Sequence, residues 1–247
     1  MLYYLKSHKR NTKLKNKLKN IFNKYNIEIN DNQVDKFAIF NDIMLKYNEI
    51  HNLTNITQED DVIYKHYLDS VLPYKILENN CKVIDLGCGG GFPSIPLKIM
   101  NENIYLTAVD SVNKKTEFVK MAGNTLNFTH FDVIHTRIED LAHNLEFREQ
   151  YDYIISRAVA PLNIILEYSA PFAKNNGYII CYKGSKYQEE INNAENALKL
   201  LKCKIEEIKE YYIKEIDAYR YILIIKKLLN ISSKYPRKQN KPRIQPL

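Results

Sequence analysis

Between residues 83 and 97 the chain reads VIDLGCGGGFPSIPL, placing Gly87, Gly89, Gly90 and Gly91 within five positions. The whole chain of 247 residues holds only seven glycines, so more than half of them stand in one turn. Ordering a glycine costs roughly 0.5–1 kcal/mol more than ordering an alanine, and such a cluster marks a place where side chains would obstruct something. The apolar run Val83–Leu86 enters the turn, and Pro93 and Pro96 follow it, where a helix's first turn tolerates a missing N–H. Strand, glycine turn and helix start form the layout in which a nucleotide lies against backbone amides at a helix N-terminus.

The rest of the chain sets that turn in a regular alternation. Short β-branched or aromatic runs at 82–86, 104–109, 131–136, 151–156 and 177–182 read as strands, and 94–100, 113–126 and 161–173 read as helices between them. The alternation predicts an α/β fold with a mostly parallel sheet and helices on both faces. Two further runs, 203–214 and 219–228, are separated by only a short break and predict an antiparallel C-terminal hairpin closing the sheet. Upstream, Val34, Phe37, Phe40, Met44 and Tyr47 recur at three- and four-residue steps, one face of an amphipathic helix over 31–50. A loop, HNLTNIT at 51–57, separates it from a second helical stretch over 61–77. The expected organisation is a basic N-terminal arm with a small helical region over 1–77, a Rossmann-like domain over 78–230, and a basic, flexible tail over 231–247.

Charge follows that organisation. Residues 1–20 and 226–247 each carry seven Lys or Arg and no acid, leaving 22 basic against 29 acidic residues in 21–225. Two basic ends on an acidic middle suit contact with a polyanion such as nucleic acid, and equally suit solvated termini in a lysine-rich chain. With 45% apolar residues the chain can bury a full core, yet no run reaches the roughly 18–20 apolar residues of a membrane span. The N-terminus is polar and basic with no apolar stretch after the charges, unlike a secretory signal. Cys81, Cys88, Cys181 and Cys203 form no CxxC pair and no zinc spacing, which fits reduced thiols in the cytoplasm and no metal.

The turn spells Gly87-x-Gly89-x-Gly91, with Phe92 where the dinucleotide fingerprint GxGxxG needs its third glycine. That departure, with the terminal hairpin, speaks against a nicotinamide-dependent oxidoreductase. Asp110 ends the second strand, 23 residues after Gly87, and can accept from ribose hydroxyls or cap the helix opening near Asn113. Asp85, just before the turn, suits a positively charged cofactor end and would repel a pyrophosphate. GxGxG with an upstream acid is the pattern of S-adenosylmethionine-dependent methyltransferases, which makes S-adenosyl-L-methionine the expected cofactor.

The chain resembles one family along its length: the bacterial 16S ribosomal RNA (guanine-N7) methyltransferase G family, also called glucose-inhibited division protein B. The resemblance is carried by NLT at 52–54, HYLDS at 66–70, GCGGGFPSIPL at 87–97, DSVNKK at 110–115, ISRA at 155–158, YKG at 182–184 and KYPR at 234–237. Departures are small: Cys88 and Gly90 hold variable positions, Ser94 stands where the family usually has glycine, and the tail is less regular. The resemblance implies methyl transfer to N7 of one guanine in the 530 loop of 16S rRNA, on naked RNA or on a small ribosomal subunit, by a monomer. It also implies cofactor contacts at Gly87 and Phe92, an adenine flanked by Ile138 and Glu139, and Arg157 reaching the cofactor or the target base.

Several roles stay open at this level. Glu139 can accept from an adenine amino group or offset a helix dipole. His66 and Asp69, three apart on one helix face, suit a packing network better than a metal site. Asn52 and Thr54 can line the target pocket or cap the loop, and Lys183 can touch phosphate or simply be exposed. Guanine N7 has a lone pair and no proton at neutral pH, so a chain without a clear acid–base pair suffices, and Arg157, Asn52 and Lys183 become candidates for positioning rather than proton transfer. A methyltransferase acting on another class of substrate and a noncatalytic RNA-binding ribosome-assembly module are the alternatives.

Overall fold

The structure, a computed structural model, describes residues 2–238 and 240–247, with side chains from Thr12 onward. Met1 and Gln239, parts of the expected arm and tail, lie outside the described residues. Seven strands form one sheet: β1 (Lys82–Leu86), β2 (Tyr105–Asp110), β3 (Phe131–His135), β4 (Tyr151–Arg157), β5 (Ala173–Lys183), β6 (Cys203–Ile213) and β7 (Ala218–Lys227). Their order is β3-β2-β1-β4-β5-β7-β6. The pairs among β1 to β5 are parallel, and β7 is antiparallel to both β5 and β6. The order reverses between β1 and β4, and the crevice outside the carboxyl ends of those two strands is where such sheets bind ligands.

Alternation along β1 divides the core. Val83 joins one apolar cluster and Ile84 and Leu86 the other, as a period of two requires. The first cluster packs α5 (Ser94–Met100) and α6 (Asn113–Thr125) together with the N-terminal helices α1 (Leu2–Lys24) and α2 (Asp31–His51). Asn30 caps α2 with a capping box, its Oδ1 accepting from Gln33 N while Gln33 Oε1 accepts from Asn30 N, each at 2.9 Å. A continuous helical stretch follows the loop: α3 (Glu59–Asp61), a π-helical Val62–Leu68 and α4 (Asp69–Val71), then a 3₁₀ turn at Tyr74–Ile76. The second cluster packs α8 (Leu162–Ser169) and α10 (Glu195–Leu200) on the other face, with α7 (Ile138–Leu141) and α9 (Tyr187–Asn193) at its margins. Among the described residues no helix is long and apolar enough to cross a membrane.

The basic ends take a different form from the one expected. Residues 2–24 are a helix, and several of its lysines meet acids of the same chain: Lys15 with Asp35 at 2.7 Å, Lys17 with Asp60, Lys19 with Asp31 and Lys24 with Glu215. The tail expected to be flexible is docked. Tyr235 is buried, and Arg237 forms a double ion pair with Glu167, which is fully buried in α8. A short helix, α11 (Lys241–Ile244), then packs on α8. A buried carboxylate needs its partner, and that requirement holds the tail down.

Removing one side of the pair should therefore be costly. Arg237→Met is expected to lower unfolding free energy by about 3–5 kcal/mol. Adding Glu167→Leu should recover most of that loss, as measured by chemical denaturation; a single variant as stable as the parent would contradict the role of the pair.

Candidate functional site

The glycine turn is shaped by two constraints. Gly87 (φ +80°) and Gly91 (φ +87°) have no room for a β-carbon, which would lie 2.6 Å from Val159 Cγ2 and 2.8 Å from Ile95 Cγ1. At those two positions the close visitor is the protein itself. Gly89 (φ +55°) is the opposite case, because a β-carbon there meets nothing within 4 Å and would project into open space. That space is a cavity of about 490 Å³ at the switch point of the sheet. Its floor is the turn with Phe92, and one side is Asp110 with Ser111, Val112 and Lys115. Arg137, Ile138, Glu139 and Tyr168 continue that side; Arg157–Val159, His66, Thr54, Leu53, Asn240 and Arg243 complete the rim.

Asp110 lines the cavity and is not the helix cap considered for it, because Val112 is the N-cap of α6 and has no side-chain cap. Its Oδ2 accepts from Gly89 N and its Oδ1 from Val112 N, both at 2.9 Å, so one carboxylate ties the glycine turn to the start of α6. Asp85 departs from expectation. It is fully buried, faces α5 rather than the cavity, and accepts a short hydrogen bond from Ser94 Oγ. Ser94, where the family usually has glycine, thus has a partner of its own. Burial pushes the Asp85 carboxyl up to about 7, with the Ser94 hydrogen bond and the Arg157 charge opposing.

Phe92, the residue in place of a third glycine, is the joint between the turn and the N-terminal helices. It packs on Phe40 with centroids 5.4 Å apart, stacks on His66 at 4.2 Å and 9°, and receives the Arg157 guanidinium 5.5 Å above its ring. Arg157 reaches His66 Nδ1 at 3.3 Å, so Nδ1 accepts and Nε2–H donates to Thr54 Oγ1 at 2.9 Å. Burial, then the Arg157 charge, holds the His66 imidazole down to about 3, and it is neutral. The His66–Asp69 pair is therefore a packing and hydrogen-bond network, and among the described residues no three His, Cys, Asp or Glu side chains are grouped to hold a metal ion.

Asp69, buried on the same helical stretch, stands between two arginines: Arg157 Nη1 lies 2.8 Å from Oδ2 and Arg220 Nε 3.0 Å from Oδ1. These residues line a second cavity of about 500 Å³ with Tyr182, Lys183 and the turn Ala158–Pro161. The two cavities share Arg157, Ala158 and Val159. Lys183 is neither exposed nor free: it is 2.6 Å from Glu190 Oε2 and donates to Ala160 O at 3.1 Å, fixing the turn after β4.

Seven of the eight residues expected to bind the cofactor meet around the first cavity, Gly87, Gly89, Phe92, Asp110, Ile138, Glu139 and Arg157, and Thr54 and His66 join them. Gly91 does not line it and packs on α5 instead. Asn52 also lies off the wall; it ends α2 in a left-handed conformation (φ +48°), its N–H donating to Asn48 O, which is the capping role. Arg220, Val159, Tyr168, Asn240 and Arg243 were missed, since none lies in a motif that signals a ligand. Arg220 alone left a trace, as the one charge in the stretch 218–225.

The buried carboxyl makes a pH prediction. Because its folded pKa of about 7 lies above the ordinary 3.8, Asp85 contributes stability that is complete below 3.8 and lost as pH rises through 7. Asp85→Asn should remove that loss, so the variant gains on the parent at about pH 8 relative to about pH 5. His66, whose pKa is depressed, acts in the opposite sense below its ordinary value of 6.5 and cancels in the comparison. A difference between variant and parent that is the same at both pH values would contradict the burial effect.

A family model described as rRNA small subunit methyltransferase G, GidB, matches residues 33–219. The ribosomal RNA small subunit methyltransferase G of Alkaliphilus metalliredigens is 42% identical over 221 residues, covering 89% of this chain and 92% of that protein. That of Thermoanaerobacter sp. (strain X514) is 43% identical over 216 residues, 87% of this chain and 90% of that one. Among solved structures, M. jannaschii TYW2 in complex with AdoMet superposes with a TM-score of 0.54 at 16% identity, over 70% of this chain and 78% of that chain, a likeness of fold. The sheet order, the glycine turn and these matches agree, and the chain belongs to the family of rRNA small subunit methyltransferase G.

Proposed function

We propose that the chain transfers a methyl group from S-adenosylmethionine to N7 of one guanine in the 530 loop of 16S rRNA, with the donor in the first cavity and the guanine in the second. The observation that carries this reading is the adjacency of the cavities: each is of ligand size, and they meet at Arg157, Ala158 and Val159.

The residues present suit the donor. Gly89 leaves open the space a β-carbon would fill, Asp110 and Glu139 offer carboxylate acceptors for ribose hydroxyls and an adenine amino group, and Ile138 offers an apolar face. Gly87, Phe92 and Arg157 line the end nearer the second cavity. When bound, S-adenosylmethionine supplies an electrophilic methyl group on a positively charged sulfur.

The chain's own task is orientation. Guanine N7 carries no proton to remove, so the residues at the junction need only hold the base in line and keep water out. Asp69 fixes Arg157 and Arg220 at one wall of the second cavity, where their N–H groups can donate to the guanine O6 edge. Lys183 holds the Ala158–Pro161 turn through Ala160 O and Glu190. A neutral His66 adds no positive charge beside a cationic donor, and Asp69 offsets that of Arg157. Exposed Lys114, Lys234 and Lys241 are available to RNA phosphates, an attraction that weakens with salt.

The test is methyl transfer from radiolabelled S-adenosylmethionine to small ribosomal subunits lacking their own modification, mapped by cleavage specific for 7-methylguanine. One labelled guanine in the 530 loop is expected, and Arg220→Ala should lower kcat/KM for RNA while leaving the affinity for the donor unchanged. Label at an exocyclic nitrogen, at another site, or none on RNA despite donor binding would overturn the assignment of substrate and position.

A further inference from the structure

The C-terminal segment passes along the first cavity, brought there by anchors on Arg148, His143 and Glu167. Arg148 donates to Tyr235 O at 2.8 Å, and Pro236 O lies 2.9 Å from His143 Nε2. Arg237 grips the buried Glu167 through its backbone N, Nε and Nη2 at 2.7–2.8 Å, and donates to Gln245 O. Arg243 donates to Val159 O at 3.3 Å and lies beside the Tyr168 hydroxyl, which in turn donates to Glu139 Oε1 at 3.3 Å. Asn240 and Arg243 are consequently walls of the cavity itself.

From this arrangement we infer that residues 235–238 and 240–247 are part of the donor site, with the Asn240 amide and the Arg243 guanidinium binding the adenosyl half of the donor. The inference rests on the reading of the first cavity as the S-adenosylmethionine site. Charge and position select the adenosyl half. A guanidinium beside the sulfonium would meet like charge, whereas adenine nitrogens and ribose oxygens accept from N–H donors. Arg243 also adjoins Tyr168, whose hydroxyl donates to Glu139, the neighbour of Ile138 on the cavity wall. The pairing of Arg237 with Glu167 explains why the segment is built as it is: a buried carboxylate under α8 fixes the strap, and the strap fixes the two donors.

The adenosyl half is common to the donor and to its demethylated product, so S-adenosylhomocysteine serves as the probe. Calorimetric titration of the full chain is compared with Asn240→Gly, which keeps the left-handed backbone at φ +57°, and with Arg243→Ala; both leave the anchors on Arg148, His143 and Glu167 in place. Each variant should bind S-adenosylhomocysteine about fivefold more weakly, the loss of one hydrogen bond. Affinity for the small ribosomal subunit, and its salt dependence, should stay at the parent value. Unchanged affinity for S-adenosylhomocysteine in both variants would overturn the inference. Weaker subunit binding with the probe's affinity kept would also overturn it, and would assign these two side chains to RNA. A parent chain that does not bind the probe would overturn the donor reading itself, and the strap's assignment with it.

Discussion

Everything at the ligand side of this molecule depends on one turn keeping its backbone bare. Gly87 must pass Val159 and Gly91 must pass Ile95 at distances no β-carbon permits, and only Gly89 borders empty space. The turn thus serves packing first. Its contact with Val159 sets the distance between the ends of β1 and β4, where the sheet order reverses, and its contact with Ile95 seats α5. With those two approaches made, the cavity is what remains between the turn and Asp110, whose carboxylate holds Gly89 N and Val112 N together.

Phe92 extends the same constraint to the rest of the chain. Its ring is shared by Phe40 of α2, His66 of the π-helical turn and Arg157 of β4, so helices far apart in sequence are aligned by one residue after the glycines. Charge is then balanced locally. Asp69 between Arg157 and Arg220 holds two cations at the junction of the cavities, where a single unpaired buried carboxylate would be costly. The same economy accounts for the uneven charge of the sequence. Part of the basic excess at each end is spent on acids of the acidic middle, through Lys15, Lys17 and Lys19 at one end and Lys227 and Arg237 at the other.

Much of the fold could be read from the chain because hydrophobic period is a local property. The strands 82–86 and 131–136 and the helices 94–100 and 113–126 stand within a residue of their expected places, since each is short, strongly patterned and bounded by turn residues. The α9 and α10 helices escaped because their polar sequence, YQEEINN and ENALKL, buries little beyond Ala197. The basic N-terminal arm hid a helix for a similar reason: lysines dominate 2–24, and its apolar stripe of Leu14, Leu18, Ile21 and Phe22 is narrow. For the site, the place of Gly87, Gly89 and Asp110 on the cavity wall was legible since strand ends at a switch point border the crevice. Asp85 misled because an acid beside glycines looks like a ligand group, and only the direction of its side chain reveals a partner in Ser94. Arg243 and Asn240 could not be found locally. Their position follows from a pairing between Arg237 and Glu167, 70 residues apart, which no sequence period announces.

On the proposed reading, the bare turn, Asp110 and the docked C-terminal strap enclose a single donor site. A crystal structure of the full chain with S-adenosylhomocysteine tests it most directly. The ligand is expected in the cavity beside Gly89, with ribose oxygens on Asp110, adenine against Ile138 and Glu139, and the strap in place over it. A ligand bound elsewhere, or one that reaches the cavity only with the strap displaced from Glu167, would contradict it.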